Sequence, residues 1–332
     1  GNNVTLDLCG HTLKRNLNAF SITDGSVLTV AQGATLTIKD SGTTGEISGG
    51  YSLFGGAISN NGTLTIEGGK FTANQAMSGG ALYTTGTLSI NGGTLTENNA
   101  KEGAAIYVYG GTLTISEATI SDNISSSSGA GIVVAGGAEV TISKAEFKDN
   151  KSSGYGTLYI KNGNVYLGSG VTFNSNMGMG GAISNFSQLT VEGAVFTNNI
   201  AASSGSAIRS SAESSLIING ITVTGNSSYW DGALTLWGNT KIQGKVIVKD
   251  NYAFTGETLN VYLAPSVVLE LNGALLGGSS IGVTQEDPSM PFTKGYSTYN
   301  GSTDPAEFFF SDSDADNVKI GLQDGEAAFV LE

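Results

Sequence analysis

Three carboxylates, Glu97, Asp122 and Asp149, each stand immediately before an asparagine, at separations of 25 and 27 residues. On successive turns of a coiled chain, that spacing would set carboxyl groups about 5 Å apart, the separation a retaining glycosidase uses. If buried, such like charges would raise one another's pKa. The preferred reading is solvated turn residues eased by Lys101, Lys148 and Lys151, because acidic residues are ordinary in exposed turns. No catalytic residue is therefore assigned. His11 is the single histidine and has no visible partner, so it is read as structural. Cys9 is the single cysteine, can form no internal disulfide and is read as a small buried hydrophobe. Asp312-Ser313-Asp314-Ala315-Asp316 begins like a calcium loop. Asn317 stands where glycine is needed, however, and Gln323 where the bidentate glutamate should fall. An exposed acidic turn is expected there, with neither metal nor cofactor.

Aromatic rings are the better candidates for ligand contact. Tyr83, Tyr107 and Tyr159 recur at equivalent outward positions, with Val133 between the last two and Tyr109 two residues beyond Tyr107. Tyr229, Trp230 and Trp237 form a second group later in the chain. Exposed rings offer apolar area and a polar tip at little entropic cost, which suits sugar rings or protein partners. Cross-strand aromatic pairs also stabilise sheets without any ligand, and that alternative stands beside the first. A third possibility is ice binding by the hydroxyl pairs Thr63/Thr65, Thr87/Ser89 and Thr112/Thr114. Glu139 and then Asn164 and Tyr166 interrupt that array, and threonine is favoured on strands in any case.

Composition limits the scaffold that must position these groups. The 332 residues include 49 glycines and 4 prolines, only 13% are charged, and Ser, Thr and Asn fill most polar positions, a mixture suited to strands and turns. A net charge of −13 with only two arginines, Arg15 and Arg209, argues against nucleic acid, whose affinity comes from neutralised phosphates. No apolar stretch approaches membrane-spanning length, and no signal peptide is legible. The chain is read as a fragment whose export signal and anchor lie outside it.

Internal repetition sets the architecture. GGAISNNGTLTIEGGKFTANQAMS from Gly55 and GGALYTTGTLSINGGTLTENNAKE from Gly79 are two copies of one unit. Further copies open at Gly103, Gly129, Gly154, Gly180, Gly205 and Asp231, with a fainter one at Thr255. A period of about 23 to 27 residues means a solenoid or propeller. Each copy holds three short apolar pieces, matched to strands and too short for helices. In TLTI-like pieces, Leu88 and Ile90 face one way and Thr87 and Ser89 the other.

The copies align into interior columns. Ile58, Leu82, Ile106, Ile132, Ile183, Ile208 and Leu234 form one, Ile66, Ile90, Ile115, Ile142, Val191 and Ile218 a second, and Phe71, Leu95, Ile120, Phe147, Phe173, Phe196, Val223 and Val248 a third. One coil cannot bury its own apolar face, so stacked coils must bury one another. Three positions after the third column stand Asn74, Asn98, Asn123, Asn150, Asn176, Asn199, Asn226 and Asn251. They are expected to form an asparagine ladder, each amide donating to the next coil, with asparagine itself tolerating the left-handed turn. The outer end, Asn251, is expected to tolerate replacement better than Asn150.

The pairing of Phe71-Thr72-Ala73-Asn74 with Gly79-Gly80-Ala81-Leu82 resembles the repeat of the chlamydial polymorphic outer-membrane proteins. More broadly, the chain is similar to the pectin-lyase-like β-helices of bacterial surface proteins, over about residues 55 to 254. The resemblance implies a surface-exposed, adhesin-like passenger. Pectate lyases and polygalacturonases share the fold, and resemblance to them would imply calcium-holding carboxylates with a basic residue, or neighbouring aspartates with GHG and RIK motifs. Here Gly10-His11-Thr12 stands where GHG is wanted, with no RIK and no Asp-Asp pair.

The expected fold is all-β: a right-handed, single-stranded parallel β-helix of about 11–12 coils in one domain over 1–332. Residues 1–54 form N-terminal coils, 55–280 the regular repeats and 281–332 an irregular C-terminal cap, which terminal repeats need in order to blunt open strand edges. The expected function is non-catalytic: an adhesin-like segment or extended spacer, monomeric, at a bacterial cell surface or outside the cell. Its partner would be a host or neighbouring-cell glycan or protein. The alternative is a polysaccharide lyase or glycoside hydrolase.

Overall fold

Each repeat closes into one coil because glycine corners separate strands too short to stand alone, and successive coils then pair in parallel. In the computed structural model, which describes residues 3–17, 19–21, 23–313 and 318–331, the result is a parallel β-solenoid of about 11 turns, 56% strand and 2% helix. Registers run straight up the stack: Leu28, Ile58, Leu82, Ile106 and Ile132 are successive partners, as are Ile38, Ile66, Ile90 and Ile115. All three interior columns are buried. Within the third, Phe147, Phe173 and Phe196 stack face to face at 4.4 and 5.0 Å between centroids.

Coils carry a fourth strand that the apolar pattern does not announce. Leu82–Thr84, Thr87–Ile90 and Thr94–Thr96 are followed by Asn99–Glu102, and the fourth strands form their own nine-stranded sheet. Its inward column is small throughout, including Ser52, Ala76, Ala100, Ser125, Ser152, Ala201, Ser228 and Ala253, so no large residue marks it.

The asparagines form the ladder, with a bonding pattern fuller than expected. Asn150 Nδ2 donates back to the Ile120 carbonyl at 2.8 Å and forward to Asn176 Oδ1 at 3.0 Å, while its main-chain N–H donates to the same Oδ1 at 3.1 Å. Each rung thus ties three consecutive coils. The left-handed residue is not the asparagine but its predecessor: Ala73, Glu97, Asp122, Asp149, Ser175, Asn198 and Asp250 have φ between 51° and 57°. That turn points the asparagine side chain inward.

Asn251 is not the end. Its N–H and Nδ2 donate to Asn260 Oδ1 at 3.2 and 2.9 Å, and Asn260 in turn donates to Asp312. Parallel stacking also runs past residue 280, since Ser280–Gln285 pairs with Val261–Leu263 and Phe309–Ser311 pairs with Ile281–Val283. The stack is closed by the short helix Tyr296–Asn300 and the antiparallel hairpin Val318–Gln323 with Glu326–Leu331. Phe292, Tyr296 and Phe309 pack together beneath them. Among the described residues, no helix is long and apolar enough to cross a membrane.

Candidate functional site on the glycine corner

One corner of every coil, where the chain leaves the nine-stranded sheet and enters the large one, shapes the exterior surface. The residue four positions after the corner faces outward, giving the column Ser59, Tyr83, Tyr107, Val133, Tyr159, Ser184, Arg209, Thr235 and Tyr262. These side chains fold back over the corner residue, which explains the recurring glycine. A Cβ on Gly103, at φ +64°, would lie 2.5 Å from the Ile106 carbonyl oxygen and 3.0 Å from Tyr107 Cβ, and one on Gly205 would lie 2.7 Å from Arg209 Cβ. The corner positions read Gly79, Gly103, Gly129, Tyr155, Gly180, Gly205 and Asp231.

The expected row of tyrosines is present, but it is not an open platform. Tyr83 and Tyr107 stack at 5.7 Å, yet Tyr107 and Tyr159 are only 8% and 9% exposed and join Val133 and Ala135 in a small exterior apolar cluster. Neighbouring rings cover them: Tyr83, itself 4.6 Å from Phe54, lies against Tyr107, and Tyr155 stacks on Tyr159 at 4.8 Å. Burial pushes the Tyr107 hydroxyl up to about 12 and those of Tyr83 and Tyr159 upward as well. Tyr109 remains exposed. The rim of this ridge is therefore Phe54, Tyr83, Tyr109, Tyr155 and Phe186.

Trp237 belongs to this ridge and not with the other late aromatics. Tyr229 packs against Trp230 at 4.7 Å and Phe254 at 6.0 Å on the outer face of the nine-stranded sheet. Trp237 instead lies under the Arg209 guanidinium, whose Cζ is 4.7 Å from the indole centroid, 5.7 Å from Tyr155 and 5.8 Å from Phe186. A cation held among rings in this way gains from the ring quadrupole. Nε of Arg209 is buried with no hydrogen-bond partner, and among the described residues the guanidinium makes no ion pair. Asp231 stands close by: burial pushes its carboxyl upward, Arg209 pulls it down and Glu286 raises it further. Glu286 also accepts from the Tyr262 hydroxyl at 2.7 Å.

Tyr155, Phe186 and Arg209 were not among the expected site residues. A signal for Arg209 exists in the sequence, since it occupies the outward column of Tyr83, Tyr107 and Tyr159 and is one of only two arginines. Tyr155 carries a different one, as the first break in the glycine corner.

The other expected features fall elsewhere. Glu97 and Asp122 are exposed and Asp149, half-buried, pairs with Lys148 at 3.7 Å. Cys9 is exposed, contrary to the buried role expected of it, because its left-handed φ of 49° places it in a surface turn with Sγ 3.5 Å from Ser41 Oγ. Asp312 is a ladder partner and not a solvated turn residue, while residues 314–317 of the calcium-like sequence lie outside the described residues. Among the described residues, no group of three or more His, Cys, Asp or Glu side chains is arranged to hold a metal. The hydroxyl columns hold their register, Thr35, Thr63, Thr87 and Thr112 in one until Glu139 interrupts, and Thr37, Thr65, Ser89, Thr114 and Thr141 in the other until Tyr166 does. A separate open groove of about 540 Å³ is lined by Gly92, Gly93, Glu117, Thr119, Lys144 and Glu146, with Lys144 paired to Glu117.

No protein-family model, no curated protein and no solved structure matches the chain. The class its geometry defines is the parallel β-solenoid.

Proposed function

We propose that this solenoid is a non-catalytic, adhesin-like binding segment, displayed at a bacterial cell surface or secreted, that takes a glycan lengthwise along its glycine corner. The supporting observation is an aromatic ridge along this corner in two groups, Phe54 with Tyr83 and Tyr107, then Tyr155 with Tyr159 and Phe186 and, across Arg209, Trp237, with Val133 between the groups. Rings that recur along one axis match a polymer better than a compact ligand, and stacking on pyranose faces needs apolar area with polar edges. The resemblance of the repeat to pectin-lyase-like and chlamydial surface β-helices supports the same setting. A glycan array and a polysaccharide-degradation screen on the purified chain test this reading: binding without shortened product is expected.

The groove carrying Glu117, Glu146 and Lys144 favours the second reading, a polysaccharide-degrading enzyme, because paired carboxylates are what glycoside cleavage requires. Product formation abolished by Glu146→Gln would support it over the first.

A further inference from the structure

Between Tyr155 and Asp231 the corner column holds only Gly180 and Gly205. Three coil steps of about 4.8 Å put those two walls roughly 14 Å apart, and the intervening glycines leave the corner without side chains. The outward column beneath this gap contributes Ser184 and Arg209, and the column two residues further on places Phe186 and Trp237 on either side of the small Ser211. Gly180, Gly205 and Ser184 are buried along this stretch, and the Arg209 guanidinium lies across it among the partly exposed rings of Tyr155, Phe186 and Trp237.

We propose that this ring-clamped guanidinium is a subsite for one neutral pyranose unit, with Arg209 donating to its hydroxyl oxygens and Asp231 the carboxylate that accepts from a neighbouring hydroxyl. The inference rests on the glycan-binding reading above and names its ligand class. Three features carry it. The guanidinium is held rigidly by Trp237, Tyr155 and Phe186, yet it donates no hydrogen bond to any described residue. An arginine fixed in this way has lost its side-chain entropy before a ligand arrives. Asp231, one coil beyond Arg209 at the corner, makes no ion pair with it, so no described carboxylate occupies the guanidinium's donors. The nearby Glu286, together with a net charge of −13, disfavours an anionic sugar at the same place.

The chain has two tryptophans, so a Trp230→Phe background makes Trp237 the sole indole reporter. That protein is titrated with neutral oligosaccharides (cello-, manno- and galacto-series) and with oligogalacturonate, while retention on the parent insoluble polysaccharides is measured in parallel. A saturable Trp237 signal with a neutral series is expected, weakened at least about tenfold by Arg209→Ala and by Asp231→Asn. Arg209→Lys, which keeps the charge but loses the planar fork, should not restore it. Unchanged neutral-sugar affinity in Arg209→Ala, or tighter binding of oligogalacturonate, would overturn the subsite while leaving the glycan-binding reading in place. No retention on any polysaccharide by the unsubstituted chain would overturn both. Melting curves of each variant separate lost contacts from lost folding.

Discussion

Asp312 closes the asparagine ladder by accepting twice from Asn260, at 2.8 Å from its main-chain N–H and 2.6 Å from Nδ2. A carboxylate does at the end what each Oδ1 does within the stack, taking the main-chain and side-chain donors of the coil below. The difference is charge. Burial pushes the Asp312 carboxyl above its ordinary range, and the hydrogen bonds from Asn260 and Thr284 offset this only in part.

That relationship fixes a pH dependence. A folded-state pKa above the unfolded value means that the native state binds more protons between the two, so this group's contribution to stability falls as pH rises through that window. Asp312→Asn removes the charge but leaves one oxygen for donors that here sit on two, the Asn260 main-chain N–H on Oδ2 and its Nδ2 on Oδ1. It should abolish this part of the acid-range slope at a smaller cost in stability than Asp312→Ala, which loses both acceptors and should cost about 1–3 kcal/mol. Urea melts at several pH values between 3 and 7 compare the three proteins, and a slope unchanged in Asp312→Asn would refute the assignment.

Asn150→Ala and Asn251→Ala should each cost about 1–3 kcal/mol, because each leaves buried donors and acceptors unpaired on three levels. Equality of the two is the informative point. The repeat weakens after Asn251, which suggested a tolerant end, but Asn260 supplies the next Oδ1 only nine residues on. A clearly milder effect at Asn251 in denaturant melts would mean that the Asn260 bond adds nothing.

Gly103→Ala should destabilise the fold by about 1–3 kcal/mol, since it places a Cβ against the Ile106 carbonyl at a left-handed φ. Glu97 already sits at a φ of 57°, so Glu97→Gly should be neutral or mildly stabilising. Thermal melts of the two variants should therefore move apart, and a parallel loss in both would contradict the account of the corner.

These results show where the sequence speaks clearly. Columns such as Ile58, Leu82 and Ile106 are legible because one large residue recurs at one interior place, and the ladder because one amide does. The fourth strand is silent since its inward residues, Ala76, Ala100 and Ser125 among them, are too small to mark a face. Asn260 and Asp312 lie beyond the period and become partners only through the cap. The site is the least legible part: the outward direction of Tyr107 follows from alternation, but its burial depends on which side chains cross the corner from the adjacent sheet, and that packing is not periodic. Trp237 was grouped with Tyr229 and Trp230 by nearness in the chain, whereas register places it beside Arg209.

Cys9 should react with an alkylating reagent in the native protein, without denaturant, as its exposure requires. Mass spectrometry after brief labelling would show one adduct, and labelling that needs urea would contradict the exposed turn.

Tyr107 should be among the last tyrosines to ionise, its hydroxyl being held up to about 12 by burial in the ridge. Because the unfolded chain ionises near 10, stability should fall as pH rises from about 10 toward 12. Ultraviolet titration of Tyr107→Phe against the unsubstituted chain isolates this group. A Tyr107 component near 10 would mean that the ridge opens.

The proposed role of the aromatic ridge is to bind a glycan without cleaving it. Native affinity electrophoresis through gels containing neutral polysaccharides, with the polymer recovered and sized afterwards, tests both halves at once. Retardation in at least one polymer, lost in a Tyr155→Ala/Trp237→Ala variant that melts normally, with polymer length unchanged, is the predicted result. Mobility indifferent to every polysaccharide, or shortened chains in the gel, would contradict it.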